Sequence, residues 1–393
     1  MKRLHALDTL RGVAALSIVI WHWQHFYAIG GTWPEGWQRS AQPFYEFLRP
    51  LYDEGWAAVD LFFALSGFVF FWLYAPLIRA GTIGPGKFAW LRFSRLYPLH
   101  LVTLLSVAVL QYFFRRATGN FFVYDSNDLQ HFATGLFLAQ QWLPPTLAQS
   151  FNGPAWSVSV EVLLYGVFFI LCRLGLKGPR LALLASICGI SLLVWNEFIA
   201  RGVMGFFLGG AVFFWTRAIA GRADGKRIAE RICLLAVLAW LLVLLETYLA
   251  PLHMLASALA SRASGDVERV YVGEGGDLFL LLFIYVVSPL TLMALALHEM
   301  VLGGKWEHYS VLGDISYSTY MLHFPLQLAL ALAAAHLSLT PAFFENPIAL
   351  GLFYAVLAGL GWISFNVFER PLQARLRSFP RGNGSFAAPG RQD

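Results

Sequence analysis

Ten apolar runs, each close to the length of one membrane crossing, follow one another along this chain and leave little sequence for anything else. They fall at roughly 8–28, 58–78, 96–114, 155–173, 181–198, 201–217, 232–251, 278–298, 312–337 and 347–368. A spanning helix needs about 20 mostly apolar residues, and only a segment that satisfies its own backbone polar groups survives in hydrocarbon. Composition agrees. Charged residues are 13% of the 393 and hydrophobic ones 58%, and the mean hydropathy is +0.59, whereas a soluble domain averages about 25% charged residues. The expected fold class is all-α: a polytopic integral-membrane bundle of about ten transmembrane helices. One domain is expected over 1–371, followed at 372–393 by a Gly-, Ser- and Pro-rich tail too polar to build a core. The first run carries Arg11 and His22, lacks a small-residue cleavage site and precedes many more runs, so it reads as a span and not as a cleaved leader.

The basic residues fix an orientation. With the N-terminus inside, the segments on the cytosolic side hold 21 of the 28 Lys and Arg, and the outer segments hold 7, with Arg201 counted among the outer ones. That asymmetry is the positive-inside bias, and deleting any one helix would erase it for every later loop. Both termini are therefore expected in the cytosol. The same distribution explains the net charge of +5 and the pI near 9.1. The positive charge lies in short connections between spans, which argues for membrane lipids as neighbours and against nucleic acid. Cys172, Cys188 and Cys233 have neither metal-ligand spacing nor an obvious disulfide partner, so no metal site is expected. Three outer connections are long, at about 29–57, 115–154 and 252–277. Residues 128–142 of the second read as an amphipathic helix at the outer interface, and the Gly-rich third reads as mobile. No internal repeat of the transporter kind is present in the sequence.

Ionisable groups inside spans are expensive, so each is a candidate for function. Arg11 and His22 stand eleven residues apart, about 16 Å along a helix, and point to one face. Arg11 reads as an interface anchor or as a donor-binding group; His22 reads as a bonded core histidine or as a catalytic one. Asp60 opens the second run and either caps its helix or pairs with a cation. Ser66-Gly67 in the same run suits close helix packing or ligand contact. Arg92 and Arg95 share a face at i, i+3, and two planar guanidiniums side by side suit a polyphosphate. Trp156, Ser157 and Glu161 follow at the start of the fourth run, with Ser157 and Glu161 at i, i+4. A carboxylate two turns below the surface needs a cation, a histidine or a raised pKa. In the ninth run Ser316, Tyr320 and His323 make one stripe, and Pro325 should free a carbonyl, as happens where a helix lines a cavity. Glu369-Arg370 before Pro371 reads as a structural pair at a cytosolic helix stop. By depth, Arg11, Arg92 and Arg95 lie towards the cytosol, and His22 and Glu161 in the outer half.

Taken together these residues resemble the acyltransferase family 3 of membrane proteins. The matches are Arg11 with ten residues to His22 inside Leu7-Asp8-Thr9-Leu10-Arg11-Gly12, and Val59-Asp60 leading to Ser66-Gly67-Phe68. The others are Arg92-x-x-Arg95-Leu-Tyr-Pro98, Trp156-Ser157-x-x-x-Glu161, and Ser316-Tyr317-Ser318 leading to His323-x-Pro325. Five in order, over nearly the whole chain, are specific. The sequence departs from many relatives in following Glu161 with Val162 where they carry a second acidic residue. The resemblance implies a bacterial inner-membrane, multi-pass O-acyltransferase. It would use acyl-CoA, usually acetyl-CoA, as a co-substrate with no tightly bound cofactor, and a carbohydrate or lipid-linked glycan as acceptor. It further implies that His22 is catalytic and that Arg11, Arg92 and Arg95 serve the donor. Glu161 would orient and charge-stabilise His22 or bind the sugar. Asp60, Ser66, Trp156, Ser157, Tyr320 and His323 complete the candidate substrate- and donor-binding set. Acylation of a small-molecule sugar such as a macrolide glycoside is the alternative within the enzyme class. A secondary transporter or flippase, and a scaffold without chemistry, are the alternatives outside it.

Overall fold

The structure is a computed structural model and describes residues 3–142, 148–252, 254 and 277–378. In chain order its helices are α1 (His5–Trp21), α2 (Tyr45–Glu54), α3 (Ala58–Leu73), α4 (Ala75–Arg79), α5 (Pro85–Thr118) and α6 (Leu129–Leu136). Next come α7 (Trp156–Arg173), α8 (Pro179–Cys188), α9 (Glu197–Ala220), α10 (Gly225–Leu249), α11 (Asp277–Leu282) and α12 (Ser288–Met300). The last are α13 (Val311–Asp314), α14 (Ser316–His336), α15 (Pro347–Ile363) and α16 (Arg370–Ser378). A π-helical turn at Phe283–Val287 joins α11 to α12, and another at Ser364–Glu369 joins α15 to α16. Isolated bridges of Ile29 with Thr32 and Phe122 are the extent of β pairing among the described residues. Among the described residues eight helices are long and apolar enough to cross a membrane. The other two expected spans are shorter: α1 stops after 17 residues and passes into a 3-10 turn at His22–Tyr27, and Pro179–Leu192 is the other.

Three readings change. Arg201 is not in an outer connection but lies inside α9, which begins at Glu197 where Asn196 caps it by accepting from the Ile199 N–H. Glu369-Arg370-Pro371 does not stop a helix, because the π turn carries the backbone past Pro371 to Ser378. The amphipathic segment at 128–142 is helical only over Leu129–Leu136, with Asp128 as its cap. The Gly-rich part of the third outer connection and the chain after Ser378 lie outside the described residues.

The chain divides into two compact units. The first comprises Met1–His22, Phe44–Val69 and Lys177–Gly313. Its centre is the crossing of α3 and α9. A Cβ on Gly67 would sit 1.7 Å from the Phe206 carbonyl oxygen, and one on Gly209 would sit 1.9 Å from that of Ala64. Backbones this close need glycine on both helices, the device that packs helices where lipid supplies no hydrophobic drive. The apolar stretch of α9 is 78% buried and that of α10 only 28%, so α9 is central and α10 faces lipid. The free N-terminus of α1 is closed by Glu299, whose carboxylate accepts from the His5 and Ala6 N–H groups at 3.1 and 2.8 Å.

The second unit comprises Trp23–Pro43, Phe70–Leu176 and Asp314–Asp393. Here α5 packs along α14 and α16, and α14 packs along α15. Trp90 donates to the Leu376 carbonyl at 2.9 Å. Gln111 ties down the segment beyond α5 through both the N–H and the carbonyl of Phe122, at 2.9 Å each. Pro325 sits inside α14, and without its N–H the carbonyl of Met321, four residues earlier, loses its helical donor. The Asn152 side-chain amide supplies one at 3.2 Å, so the carbonyl freed by the proline is used by the segment before α7.

Candidate functional site

The expected site residues fall into both units. In the first, Arg11 extends from α1 to Asp8 at 3.3 Å, with 30% of its side chain exposed. His22 follows the last residue of α1 at the change to 3-10 geometry, is buried, and stands edge-on to Trp21 at 4.7 Å. Asp60 is completely buried, and its carboxylate takes both arms of Arg201, from Nη2 at 2.9 Å and from Nε at 3.1 Å. The Arg201 guanidinium lies 4.7 Å from the Trp56 ring centroid and donates to the Trp56 carbonyl. Of the two roles the sequence left open for Asp60, pairing with a cation is therefore the one adopted. Ser66 adjoins the Gly67 contact and is half-buried.

In the second unit the arginine pair is held by rings and one acid. The Arg92 guanidinium carbon lies 4.6, 5.1 and 5.8 Å from the ring centroids of Tyr74, Phe70 and Tyr165. It donates one hydrogen bond to the Tyr74 hydroxyl, and its buried Nε has no hydrogen-bond partner. Ring stacking uses the face of a guanidinium and leaves its edge of N–H donors to serve an anion. Arg95, three residues on, lies 5.7 Å from the Tyr317 ring and 3.7 Å from Glu369. Glu369 is buried. Its Oε1 accepts from the hydroxyls of Ser318 and Ser364, and its Oε2 accepts no hydrogen bond. Tyr317 donates to the Leu96 carbonyl at 2.6 Å and lies within electrostatic reach of Glu369, Arg95 and Glu161. The half-buried Glu161 of α7 thus shares a charged neighbourhood with this group.

The Trp156-Ser157 motif meets α14. Ser157 Oγ lies 2.7 Å from the Tyr320 hydroxyl, which is 2.6 Å from the Pro154 carbonyl. A carbonyl only accepts, so Tyr320 donates to it and Ser157 can donate to the phenol oxygen. Trp156 is buried one residue before. His323 is fully buried, with Nδ1 against the Tyr320 carbonyl. It interacts electrostatically with His25, which bonds Gln327 at 3.2 Å and meets Tyr124 and Phe324 edge-on. Among the described residues no group of His, Cys, Asp and Glu is arranged to hold a metal ion.

The profile of the acyltransferase domain matches residues 4–367. The chain belongs to acyltransferase family 3. It is 33% identical over 176 residues to protein 2 in the picA locus of Rhizobium radiobacter, a match covering 42% of this chain and 81% of that protein. It is 34% identical over 183 residues to acyltransferase MdmB of Streptomyces mycarofaciens, covering 45% of this chain and 41% of MdmB. No solved structure matches significantly. Three polar residues of this acyltransferase lie outside the motifs that flagged the others. Arg201 sits between two predicted spans and looks like a loop charge. Glu369 precedes Arg370-Pro371 and looks like a helix end. His25 carried the usual signal, an imidazole in an apolar run, but His22 three residues earlier matched the spacing from Arg11.

Proposed function

We propose that this acyltransferase moves an acetyl group from cytosolic acetyl-CoA to a hydroxyl of a cell-surface or lipid-linked carbohydrate. The setting is a bacterial inner membrane, with both termini of the chain in the cytosol. What supports it most is the pairing of Arg92 and Arg95 on one turn of α5, both beside aromatic rings, with Arg92 Nε without a hydrogen-bond partner. Two guanidiniums so placed suit the phosphates of a CoA better than a structural ion pair would require. Arg11 helps to position the donor. His22, as a neutral imidazole, takes the proton of the acceptor hydroxyl while its oxygen bonds to the thioester carbon. The carbon–sulfur bond then breaks, the sulfur leaves as the CoA thiolate, and the proton on His22 neutralises it.

The test is turnover in membranes holding the protein, with acetyl-labelled acetyl-CoA. Label entering a base-labile ester in the glycan or glycolipid fraction, matched by released CoA, is the expected result. CoA release without ester would contradict the acceptor assignment, and neither product would contradict the donor.

A further inference from the structure

A recess in the second unit is lined by α5, α6, the turn after α6 and the segment leading into α7. His100, His131, Gln140, Asn152 and Trp156 are among its walls, and it encloses about 20 Å³, room for one water or one hydroxyl group. Four polar atoms of this lining are buried and have no hydrogen-bond partner: His100 Nδ1, His131 Nε2, Gln140 Oε1 and Asn152 Oδ1. His100 and Asn152 are themselves only 1% and 3% exposed. Buried polar atoms without partners are uncommon, and four on one recess call for an occupant.

The chemistry of that occupant follows from the bonds the same side chains already make. The Asn152 amide nitrogen is fixed on the Met321 carbonyl that Pro325 leaves free, so its oxygen faces away as an acceptor. The Gln140 nitrogen is fixed on the Ala155 carbonyl at 3.2 Å, with the same result. His100 Nε2 lies 2.8 Å from the Gly135 carbonyl and must carry the hydrogen, which leaves Nδ1 of the neutral ring as an acceptor. His131 Nδ1 lies 2.8 Å from the Asp128 carboxylate. The His131 N–H and ring hold that carboxyl below the usual range, so it stays an acceptor. With Nδ1 engaged by Asp128, Nε2 is the His131 ring atom left to face the recess. Three of the four atoms, on His100, Gln140 and Asn152, are therefore acceptors. A phosphate or carboxylate would bring more lone pairs to them, and one water has two protons for three acceptors. A vicinal diol offers adjacent O–H donors, and the small volume admits a hydroxyl end-on while the ring stays at the mouth.

We propose that this recess binds the hydroxyl-bearing edge of a neutral sugar or polyol, the acceptor of the transfer, through His100, His131, Gln140 and Asn152. The assignment rests on the acyltransferase reading for the identity of its ligand as acceptor, but the binding chemistry stands on the recess alone. The test is saturation-transfer NMR on the detergent-solubilised full chain with two probe sets, neutral methyl glycosides and the matching uronates. Wild type, Gln140→Leu and His131→Phe are compared, and a CoA thermal-shift titration runs on each. The expected result is transfer to neutral glycosides in wild type, weaker transfer to uronates, and about tenfold weaker glycoside binding in each variant, with the CoA shift intact in all three. Equal binding by wild type and variants, preference for uronates, or no glycoside binding by a wild type that binds CoA (a recess holding water only) would each overturn it. Glycoside binding lost in the variants but with no CoA shift in wild type would sustain the recess and remove the acyl-CoA donor. If a variant gives no folded protein, Gln140→Glu, which keeps the length and adds charge, takes its place and must weaken glycosides likewise.

Discussion

Two arginine sites, one in each unit, show how differently a membrane protein can hold a cation. Arg201 is saturated. Both oxygens of Asp60 take its donors, Trp56 covers its face, its side chain is 7% exposed, and Glu197 stands 3.6 Å away. Arg92 is held mainly through its faces, one donor goes to Tyr74, and Nε has no partner. Its neighbour Arg95 stands 3.7 Å from a carboxylate oxygen that accepts no hydrogen bond. A cation whose donors are all taken inside the fold serves the fold. Under the proposed function, a cation held mainly through its faces is the one that meets an anion from outside.

That contrast breaks most visibly at Asp60. Asp60→Ala leaves Arg201 buried without its partner, and removing one member of a buried pair costs about 3–5 kcal/mol. Folded yield and thermal unfolding in detergent should collapse, and the double change Asp60→Leu/Arg201→Met should recover much of both. A stable but inactive Asp60→Ala protein would move Asp60 from the fold to the ligand.

His22→Ala should instead leave folded yield near wild type and lower acetyl transfer by about 10²–10⁴, the usual worth of a positioned general base. Loss of folded yield in step with activity would return His22 to a packing role. At the other arginine site, Arg92→Ala/Arg95→Ala should raise the donor KM by about 10–100-fold, as expected for the loss of charge-assisted bonds, with kcat changed far less. A fall confined to kcat would place the pair at the chemistry and not at the phosphates. The smallest effect is expected at Glu369. Glu369→Gln keeps the bonds to Ser318 and Ser364 but removes a negative charge beside Arg95, so the donor KM should fall by up to about fivefold. A rise would mean that Glu369 aims Arg95 and does not compete for it.

The spans were legible because most are long apolar runs, and Gly67 signalled a close helix approach, though not that α9 would be the partner. The motif residues were legible one by one, yet their partners were not. Arg201 needed the true start of α9, which a connection as short as Asn196-Glu197 conceals. Glu369 needed the π turn, since an acid before Arg-Pro has the composition of a helix end. Asn152 carries no periodicity, and its role appears only when Pro325, in a segment far along the chain, frees the Met321 carbonyl that it binds. The proline signalled a freed carbonyl; the sequence could not say what would bind it.

The most direct measurement is a thermal-shift titration of the detergent-solubilised protein with CoA and acetyl-CoA, wild type beside Arg92→Ala/Arg95→Ala. A ligand that binds only the folded state raises apparent stability once its concentration passes Kd. A saturable rise in wild type, weakened in the variant, is the expected result. No rise in wild type, or an equal rise in both proteins, would contradict a donor site built on the two arginines of α5.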